Sequence, residues 1–495
     1  MFFKGLLGYL PANLLQGIVG FASLMVFTRL MSPGDFGRYA LAFGATSLVY
    51  TLTFTWLEAA MARFYPAERL ANPEAPALYG SLYRLFLGIG LAFLGAVGAG
   101  LVLWPTAGAG GAALKAAIGF GLVGIVPRSL LRLVQEQRRS EGRVAAAACV
   151  DMLQAGGGFA LAVLFCFGGL KSAAPLAGAG AMALLILPFV AGEDLSRAVR
   201  GRFETDAARA YLRYGYPICL SLVLSLALYT VDRFMIAHYL SAADAGAYHA
   251  GFSIASRVLD VLFIWFGAAG GPALNQAVES GGEGAVREEA RRLLTLMALV
   301  VFPAACGLVA LAGPLSTVLI GGPLRAPATA IAPLVTLGAV LAGLDTYYFL
   351  LPFTLAKRTG RLMLAMGAPA LANIGLNLVL IPRFGLVGAA GAYALSFLVG
   401  IAAAWSLGRS VQRLPVPLAE LSKIAAAAVV MAAALSATPR LGTALDLLVK
   451  PALGVLLYGA LAYALDLGGA RALVSAALAR LASMRASPLT RSQSA

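Results

Sequence analysis

The sequence predicts an all-α polytopic membrane protein of about 14 transmembrane helices, built as two parallel-repeat six-helix bundles followed by two C-terminal helices. Three observations favour this fold: a strongly apolar composition, apolar stretches of membrane-crossing length, and an internal repeat. Of the 495 residues, 60% are hydrophobic and only 12% are charged, and the mean hydropathy is +0.85. This composition excludes a soluble globular domain and is typical of helical membrane proteins.

Apolar stretches recur along the whole chain. A helix needs about 20 predominantly apolar residues to cross the hydrocarbon core of a bilayer. Stretches of that size predict helices near residues 7–30, 38–60, 80–104, 112–133, 144–168, 173–192, 211–238, 246–268, 291–313, 328–350, 361–382, 385–408, 421–438 and 446–466. The order of these helices predicts four parts: an N-terminal six-helix lobe (1–205), a C-terminal six-helix lobe (206–410), two additional transmembrane helices (411–467) and a basic cytoplasmic tail (468–495).

An internal repeat relates the two predicted lobes. Residues 32–60 align with residues 241–269 without a gap. The matched pairs include Asp35 with Asp244, Gly37 with Gly246, Tyr39 with Tyr248, and Trp56 with Trp265. Matches of these residue types in register indicate a duplicated half that runs in the same direction. Both aspartates lie in short polar turns just before a helix, where they are expected to be helix N-caps.

Lysine and arginine concentrate on one predicted side of the membrane. With the N-terminus inside, the inner loops hold basic clusters at 128–143, 197–213 and 287–292, whereas the outer loops hold few basic residues. Basic loops stay on the cytoplasmic side, so both termini are expected to be cytoplasmic. Because such loops face an anionic leaflet, the net charge of +15 indicates contact with membrane lipids, and no nucleic acid partner is expected.

The sequence contains no pattern that predicts a cofactor or a metal site. All four cysteines lie in apolar stretches, and the two histidines, His238 and His249, do not have a metal-ligand spacing. The chain has no Gly-rich Walker loop, so ATP hydrolysis is not expected. The predicted loops are too short for a catalytic domain, and the chain is therefore not expected to be an enzyme.

Two stretches resemble a known family. They are FTRLMSPGDFGRYALAF at 27–43 and VDRFMIAHYLSAADAGAYHAGFSIA at 231–255. Both are similar to hairpin patterns of the Wzx-type lipid-linked oligosaccharide flippases, the polysaccharide-transport branch of the multidrug/oligosaccharidyl-lipid/polysaccharide (MOP) exporter superfamily, which has a MATE-like fold. The resemblance rests on about 40 residues and on the predicted layout of the chain.

The resemblance implies a function in lipopolysaccharide, capsule or exopolysaccharide biosynthesis. Such a flippase moves an undecaprenyl-pyrophosphate-linked oligosaccharide, for example an O-antigen repeat unit, from the cytoplasmic to the periplasmic leaflet of the bacterial inner membrane. It works by alternating access between two lobes that face a central cavity. The implied partners are the lipid-linked oligosaccharide, membrane lipids, and the polysaccharide polymerase and other glycan-assembly proteins.

Charged residues inside the predicted spans are the first candidates for function, because a charge at mid-membrane normally faces a cavity or a partner. Arg257 and Asp260 are three residues apart on one predicted helix. One interpretation is that Arg257 binds the pyrophosphate and Asp260 orients it, since a guanidinium binds phosphate oxygens bidentately. The other is that the two residues form an ion pair that locks helix packing.

Further candidates divide between ion coupling and structure. Asp232 is expected to bind a coupling proton or Na⁺, or to pair with an arginine, and Arg233 to extend its side chain to the membrane interface. Asp345, beside Thr346 and two tyrosines, is a candidate protonation site, sugar contact or structural residue. Glu58 is expected to join the basic residues at the inner ends of the second to fourth helices.

The remaining candidates for substrate binding lie at the inner ends of the second to fourth helices and on the eleventh helix. Arg84 and Arg128 are expected to form a basic vestibule with Arg63 and Arg132, or to act as ordinary topology anchors. Asn373 and Asn377, four residues apart, share a helix face, where they are expected to bond a glycan or to join helices.

Two alternative functions compete with the flippase hypothesis. A drug/cation antiporter of the same superfamily is expected to carry an acid-rich first lobe, but only Glu58 and Asp151 lie within or near the spans there. A membrane glycan-assembly enzyme requires a catalytic acid or base cluster on a sizeable loop, which the sequence does not contain.

Overall fold

The structure, a computed structural model, describes residues 2–106, 108–356, 358–475 and 479, and within these ranges its regular secondary structure is helical. The helices are α1 (Phe2–Leu30), α2 (Pro33–Thr53), α3 (Thr55–Ala71), α4 (Pro76–Leu103), α5 (Gly108–Ser140), α6 (Val144–Phe167), α7 (Ala174–Val190), α8 (Gly192–Arg200), α9 (Thr205–Tyr239), α10 (Ala242–Ser280), α11 (Gly282–Ala310), α12 (Ala312–Leu319), α13 (Arg325–Leu344), α14 (Leu351–Leu355), α15 (Thr359–Gly408), α16 (Leu418–Ala437) and α17 (Thr443–Ala464). Most of the predicted basic tail (468–495) lies outside the described residues.

The helices confirm the predicted fold class of an all-α multi-pass membrane protein. Among the described residues, 12 helices are long and apolar enough to cross a membrane, or 13 when the bent pair α2 and α3 is taken as one span. The predicted count of about 14 differs from this because helices 361–382 and 385–408 are joined in α15. Gly385 interrupts α15 with a non-helical backbone (φ 57°, ψ −135°). A straight helix of 49 residues would be about 74 Å long at ~1.5 Å per residue. Because this is more than twice the thickness of a hydrocarbon core, α15 is long enough to contain both predicted spans.

The predicted helix at 38–60 is broken in the structure. Helix α2 ends at Thr53 and α3 begins at Thr55, with an angle of 42° between them. Phe54 at the break is fully buried, and its ring contacts those of Phe86 and Phe93 at centroid distances of 5.5 and 5.7 Å. Aromatic packing therefore fixes the bend, which the apolar pattern of the sequence does not reveal.

The described chain forms two compact units. The first comprises the residues up to Ile254 together with Val318–Ile331 and Met366–Ser396. The second comprises Ala255–Thr317, Ala332–Ala365 and the residues from Phe397 onwards. The predicted division into lobes at 205/206 and 410/411 stays a prediction.

Each unit has its own apolar core. In the first unit, Phe54, Leu57 and Tyr79 belong to one buried cluster. In the second unit, Phe263 and Met297 belong to another. The functional side chains described below are therefore placed by two separate packed interiors.

The two repeat segments begin with the same hydrogen-bonded cap. The Ser32 hydroxyl donates to Oδ2 of Asp35 (2.7 Å) and accepts the backbone N–H of Asp35 (3.1 Å). Ser241 and Asp244 repeat this arrangement at 2.6 and 3.1 Å. The expectation that the aspartates are the N-caps is wrong, because the serines occupy that position and each aspartate lies in the first turn. The duplication therefore extends to hydrogen bonding.

The equivalent glycines of the repeat contact each other within the first unit. A Cβ atom on Gly246 would lie 2.9 Å from the Gly37 nitrogen, and one on Gly37 would overlap the carbonyl oxygen of Ala242. Only glycine allows α2 and α10 to approach this closely.

The short helix α8 and the segment that follows it are fixed to the start of α4. The Arg202 N–H donates to the Pro76 carbonyl (3.0 Å), and the Glu204 N–H donates to the Ser81 hydroxyl (3.0 Å). Asp194 of α8 is 4% exposed, and burial raises the pKa of its carboxyl to about 6. The polar connection between the sixth and seventh predicted spans is therefore an ordered element.

Candidate functional site

A cavity of about 280 Å³ with several polar and charged lining residues lies in the first unit. Five helices contribute its walls. The lining residues are Gln16, Val19, Ser23 and Phe27 of α1, Tyr39 and Phe43 of α2, Arg128, Leu131, Arg132 and Gln135 of α5, Asp151, Gln154, Ala155, Gly158, Phe159 and Ala162 of α6, and Pro175, Leu176 and Ala179 of α7. Its size is near the lower end of small-molecule sites, which suits one compact polar group.

Two arginines of α5 give the cavity its charge. Arg128 and Arg132 are one helical turn apart, so they share one face of the helix, and both line the cavity. The Arg132 guanidinium lies 5.7 Å from the centre of the Tyr50 ring. The predicted vestibule thus retains two of its arginines.

The acidic residue of the cavity is already engaged by neighbouring side chains. Asp151 accepts a hydrogen bond from Nε2 of Gln135 (3.0 Å) on one oxygen and from Nη2 of Arg139 (2.9 Å) on the other. Arg139 also pairs with Glu136 at 3.1 Å. Asp151 also interacts electrostatically with Arg132. The two lining arginines outnumber this one acidic lining residue, so the cavity keeps a positive character.

Glu58 lies close to Tyr50 and Arg132. The Tyr50 hydroxyl, at the end of α2, donates to Oε1 of Glu58 in the first turn of α3. Arg132, which lies over the Tyr50 ring, interacts electrostatically with Glu58. The bend at Phe54 brings these two residues, eight positions apart, into contact. Ion coupling through Glu58 stays a prediction.

A second polar cluster is buried elsewhere in the first unit. Asp232 is 1% exposed. Its Oδ1 accepts from Nδ2 of Asn377 (2.7 Å), and its Oδ2 accepts from the hydroxyl of Tyr248 (3.0 Å). Asn377 also donates to Oδ1 of Asn373 (3.0 Å). The geometry supports the interpretation in which Asn373 and Asn377 join helices, because both lie inside the packed interior.

The Arg233 side chain does not lie where it was expected. Its side chain does not extend to an interface: the residue is 7% exposed, its guanidinium lies 5.0 Å from the centre of the Phe252 ring, and Nη1 donates to the Tyr229 carbonyl. An aromatic face attracts a cation in a desolvated setting. Phe252 belongs to the repeat segment, so the fold of the chain supplies a partner that the linear sequence does not show.

Arg257 and Asp260 belong to the second unit and are not among the residues that line the cavity. Both are exposed on α10. Asp345 is also in the second unit and is 2% exposed. It begins a π-helical turn, Asp345–Phe349, between α13 and α14.

Arg84 has a structural contact. It is exposed, and its Nη2 donates to the Gly201 carbonyl (2.9 Å) at the end of α8. It does not line the cavity with Arg128. The expected vestibule of Arg63, Arg84, Arg128 and Arg132 is therefore reduced to its two α5 members.

The comparisons with known proteins agree with this fold. The family described as "Polysaccharide biosynthesis protein" matches residues 112–323. The lipid II flippase MurJ, in an inward closed conformation, has a similar structure with a TM-score of 0.74 at 15% identity, over 94% of this chain and 99% of that one. No curated protein sequence matches the chain.

Transporters of the MATE family are also similar. An inward-facing multidrug resistance MATE family transporter of the MOP superfamily has a TM-score of 0.65 at 14% identity, over 82% of this chain and 96% of that one. An outward-facing one has a TM-score of 0.54 at 14% identity, over 85% and 94%. The chain therefore has the fold of these transporters. The MATE-like fold implied by the resemblance of the two hairpin stretches is thereby confirmed.

Several polar residues of this chain were not singled out as candidates from the sequence. Gln135 and Gln154 line the cavity, and Nε2 of Gln154 donates to the Ala179 carbonyl (2.8 Å). Tyr50 links Glu58 to Arg132. The available signal was the presence of glutamines in the apolar spans, which is costly unless they are hydrogen-bonded.

Proposed function

We propose that this chain is a flippase that moves an undecaprenyl-pyrophosphate-linked oligosaccharide from the cytoplasmic to the periplasmic leaflet by alternating access. The observation that carries the proposal is the cavity in the first unit, in which Arg128 and Arg132 lie on one face of a membrane-spanning helix. Two guanidinium groups on one face form a binding site for a group with several anionic oxygens, such as a pyrophosphate.

The energetics favour an anionic ligand at this cavity. A cation inside a membrane span is expensive unless it meets water, a partner or a substrate. Asp151, the acidic lining residue, is bonded to Gln135 and Arg139. The two lining arginines outnumber this one carboxylate, so a ligand that brings negative charge gains from them.

Two comparisons support a glycan carrier as the substrate. The matching family is described as polysaccharide biosynthesis protein, and MurJ, whose fold is similar, is named as a lipid II flippase. O-antigen, capsule and exopolysaccharide repeat units all fit this chemistry. The distribution of basic loops supports a bacterial inner-membrane location with both termini in the cytoplasm. Glycan polymerases are the proposed partners downstream.

The drug/cation antiporter is the second candidate, since MATE transporters share the fold. The cavity disfavours it: Arg128 and Arg132 repel an organic cation. The buried carboxylate of Asp232 favours a cation elsewhere in the first unit, but Tyr248 and Asn377 already donate to its two oxygens.

The function is tested by deleting the gene in the native bacterium. The lipid-linked oligosaccharide is expected to accumulate in the cytoplasmic leaflet while surface glycan declines, because synthesis continues and export stops. Mass spectrometry of extracted lipids measures the accumulation, and labelling of inside-out and right-side-out vesicles locates the sugar. Plasmid-borne wild-type protein is the control. Normal surface glycan with no stalled carrier lipid would contradict the proposal.

Arg257→Ala is expected to lower transport at least tenfold while leaving folded protein at the wild-type level. Arg257, which does not line the cavity of the first unit, is proposed to contact the pyrophosphate in a separate step of transport, with Asp260 orienting it. A charge-assisted hydrogen bond contributes about 1.5–3 kcal/mol. Flipping of a lipid-linked sugar in proteoliposomes measures the effect. Arg287→Ala, which removes an exposed arginine paired with Glu283, is the matched control. Equal activity in both variants would exclude a substrate role for Arg257.

A further inference from the structure

A cavity of about 710 Å³ lies in the second unit and has no role in the proposed function. Its walls come from the first turns of α11, the start of α16 and the segment that follows α17. Helix α11, with 29 residues, is about 44 Å long at ~1.5 Å per residue, whereas a hydrocarbon core is about 30 Å thick. The charged first turns of α11 therefore reach the depth of the lipid headgroups.

The segment after α17 gives this cavity a fixed floor. Asp466 and Gly468 have a left-handed backbone, with φ of 48° and 57°. The Gly468 N–H donates to Oε1 of Glu420 (2.7 Å), and the Arg471 N–H donates to Oδ1 of Asp466 (3.0 Å). A Cβ atom on Gly468 would lie 3.0 Å from Cγ2 of Thr295, so glycine lets the turn approach α11. Three helices and a hydrogen-bonded turn therefore shape the cavity.

Two arginines of α11 line the cavity. Arg291 and Arg292 are both exposed. In the part of the chain that the structure describes, neither guanidinium has an ion pair or a hydrogen bond to another side chain. A guanidinium binds phosphate oxygens bidentately. The cavity therefore offers two available cations to a phosphate group.

Acidic residues line the same cavity. Glu288 and Asp466 are exposed carboxylates. The third acidic lining residue, Glu420, accepts the Gly468 N–H and lies 3.9 Å from Nζ of Lys423. Carboxylates beside the arginines repel a purely anionic ligand and attract a cation, so charge of both signs selects between ligands. The lining therefore fits a headgroup that carries a phosphate and an ammonium group together.

We infer that this cavity binds a phospholipid whose headgroup carries a phosphate and a primary ammonium, as in phosphatidylethanolamine. The two arginines bind the phosphate, and Glu288 and Asp466 accept hydrogen bonds from the ammonium group. A primary ammonium has three N–H donors, whereas the quaternary ammonium of phosphatidylcholine has none. Leu296 and Leu473 also line the cavity and contact the start of the acyl chains. The site is independent of the proposed flippase function.

Native mass spectrometry of the full-length protein, released from detergent micelles, tests the site. Phosphatidylethanolamine is expected to bind about tenfold more tightly than phosphatidylglycerol or phosphatidylcholine with the same acyl chains. Arg291→Gln with Arg292→Gln is expected to weaken its binding about tenfold, the factor for one charge-assisted hydrogen bond. Arg209→Gln with Arg213→Gln is the matched control, because it removes two exposed arginines that do not line the cavity. Equal binding of the three lipids to wild type would overturn the inference.

A second variant tests the role of the carboxylates. Glu288→Gln with Asp466→Asn removes two negative charges at nearly constant size, and asparagine adopts the left-handed backbone as readily as aspartate. The preference is expected to change from phosphatidylethanolamine to the anionic phosphatidylglycerol, because the arginines then act without opposing charges. An unchanged preference would contradict ammonium recognition. Water-soluble phosphoethanolamine is expected not to displace the lipid, and displacement at equal concentration would show that the ligand is not a lipid.

Discussion

Replacement of Arg128 and Arg132 together by alanine is expected to lower transport by more than about 100-fold. Both side chains line the cavity of the first unit from one face of α5. Each charge-assisted hydrogen bond contributes about 1.5–3 kcal/mol, and about 1.4 kcal/mol corresponds to a factor of ten. With both arginines removed, no other cation lines this cavity among the described residues. The cavity therefore no longer attracts a pyrophosphate.

The measurement is the initial rate of flipping in proteoliposomes, together with the affinity for a short-chain prenyl diphosphate in detergent. Arg128→Gln with Arg132→Gln removes the charges but keeps much of the side-chain length and its polarity. Arg209→Ala with Arg213→Ala is the matched control, because it removes two exposed arginines of α9 outside the cavity. Wild-type affinity in both cavity variants would show that the phosphate binds elsewhere.

The class of the fold was predictable because it depends on quantities that the sequence carries directly. Apolar stretches of about 20 residues report membrane helices without any tertiary information. The repeat reports duplication, and the paired caps at Ser32 and Ser241 show that it extends to hydrogen bonds. The assignment of Asp35 and Asp244 as N-caps failed because serine and aspartate are both good capping residues. Only the backbone path distinguishes the two positions.

The candidate site was only partly predictable, because it depends on contacts between distant parts of the chain. Arg128 was identified from its charge in an apolar segment, but its partnership with residues of α1, α6 and α7 is set by helix packing. Arg84 has the same chemistry, yet it bonds to Gly201, which is 117 positions away. Arg233 and Asn377 were assigned from their positions along a helix, whereas Phe252 and Asp232 determine their environment.

The bend between α2 and α3 was also not predictable from the sequence. The sequence around Phe54 contains no proline or glycine at the break, so the periodic pattern predicts one helix. The buried aromatic contacts of Phe54 with Phe86 and Phe93 produce the break. The contact between Tyr50 and Glu58 follows from it, and a prediction that treated 38–60 as one straight helix did not contain this pair.

Gly37→Ala is expected to prevent the first unit from reaching its folded state. The added methyl group would overlap the carbonyl oxygen of Ala242, a backbone atom in the first turn of α10. Overpacking of a core costs about 1–3 kcal/mol when side chains can adjust, and backbone adjusts less. A shift of Ala242 would also disturb the cap at Ser241, because the two residues are adjacent. The free energy of unfolding of a folded domain is only about 5–15 kcal/mol, so a loss of this size removes much of it.

Size-exclusion chromatography of a fluorescent fusion and a thermal unfolding curve measure the effect. Gly17→Ala is the matched control, because a methyl group there meets no atom within 4 Å. Gly246→Ala is expected to be destabilising as well, because its Cβ would lie 2.9 Å from the Gly37 nitrogen. A Gly37→Ala protein that elutes and melts like Gly17→Ala would mean that α2 and α10 do not meet at these glycines. The repeat would then be a trace of duplication without a structural contact between its copies.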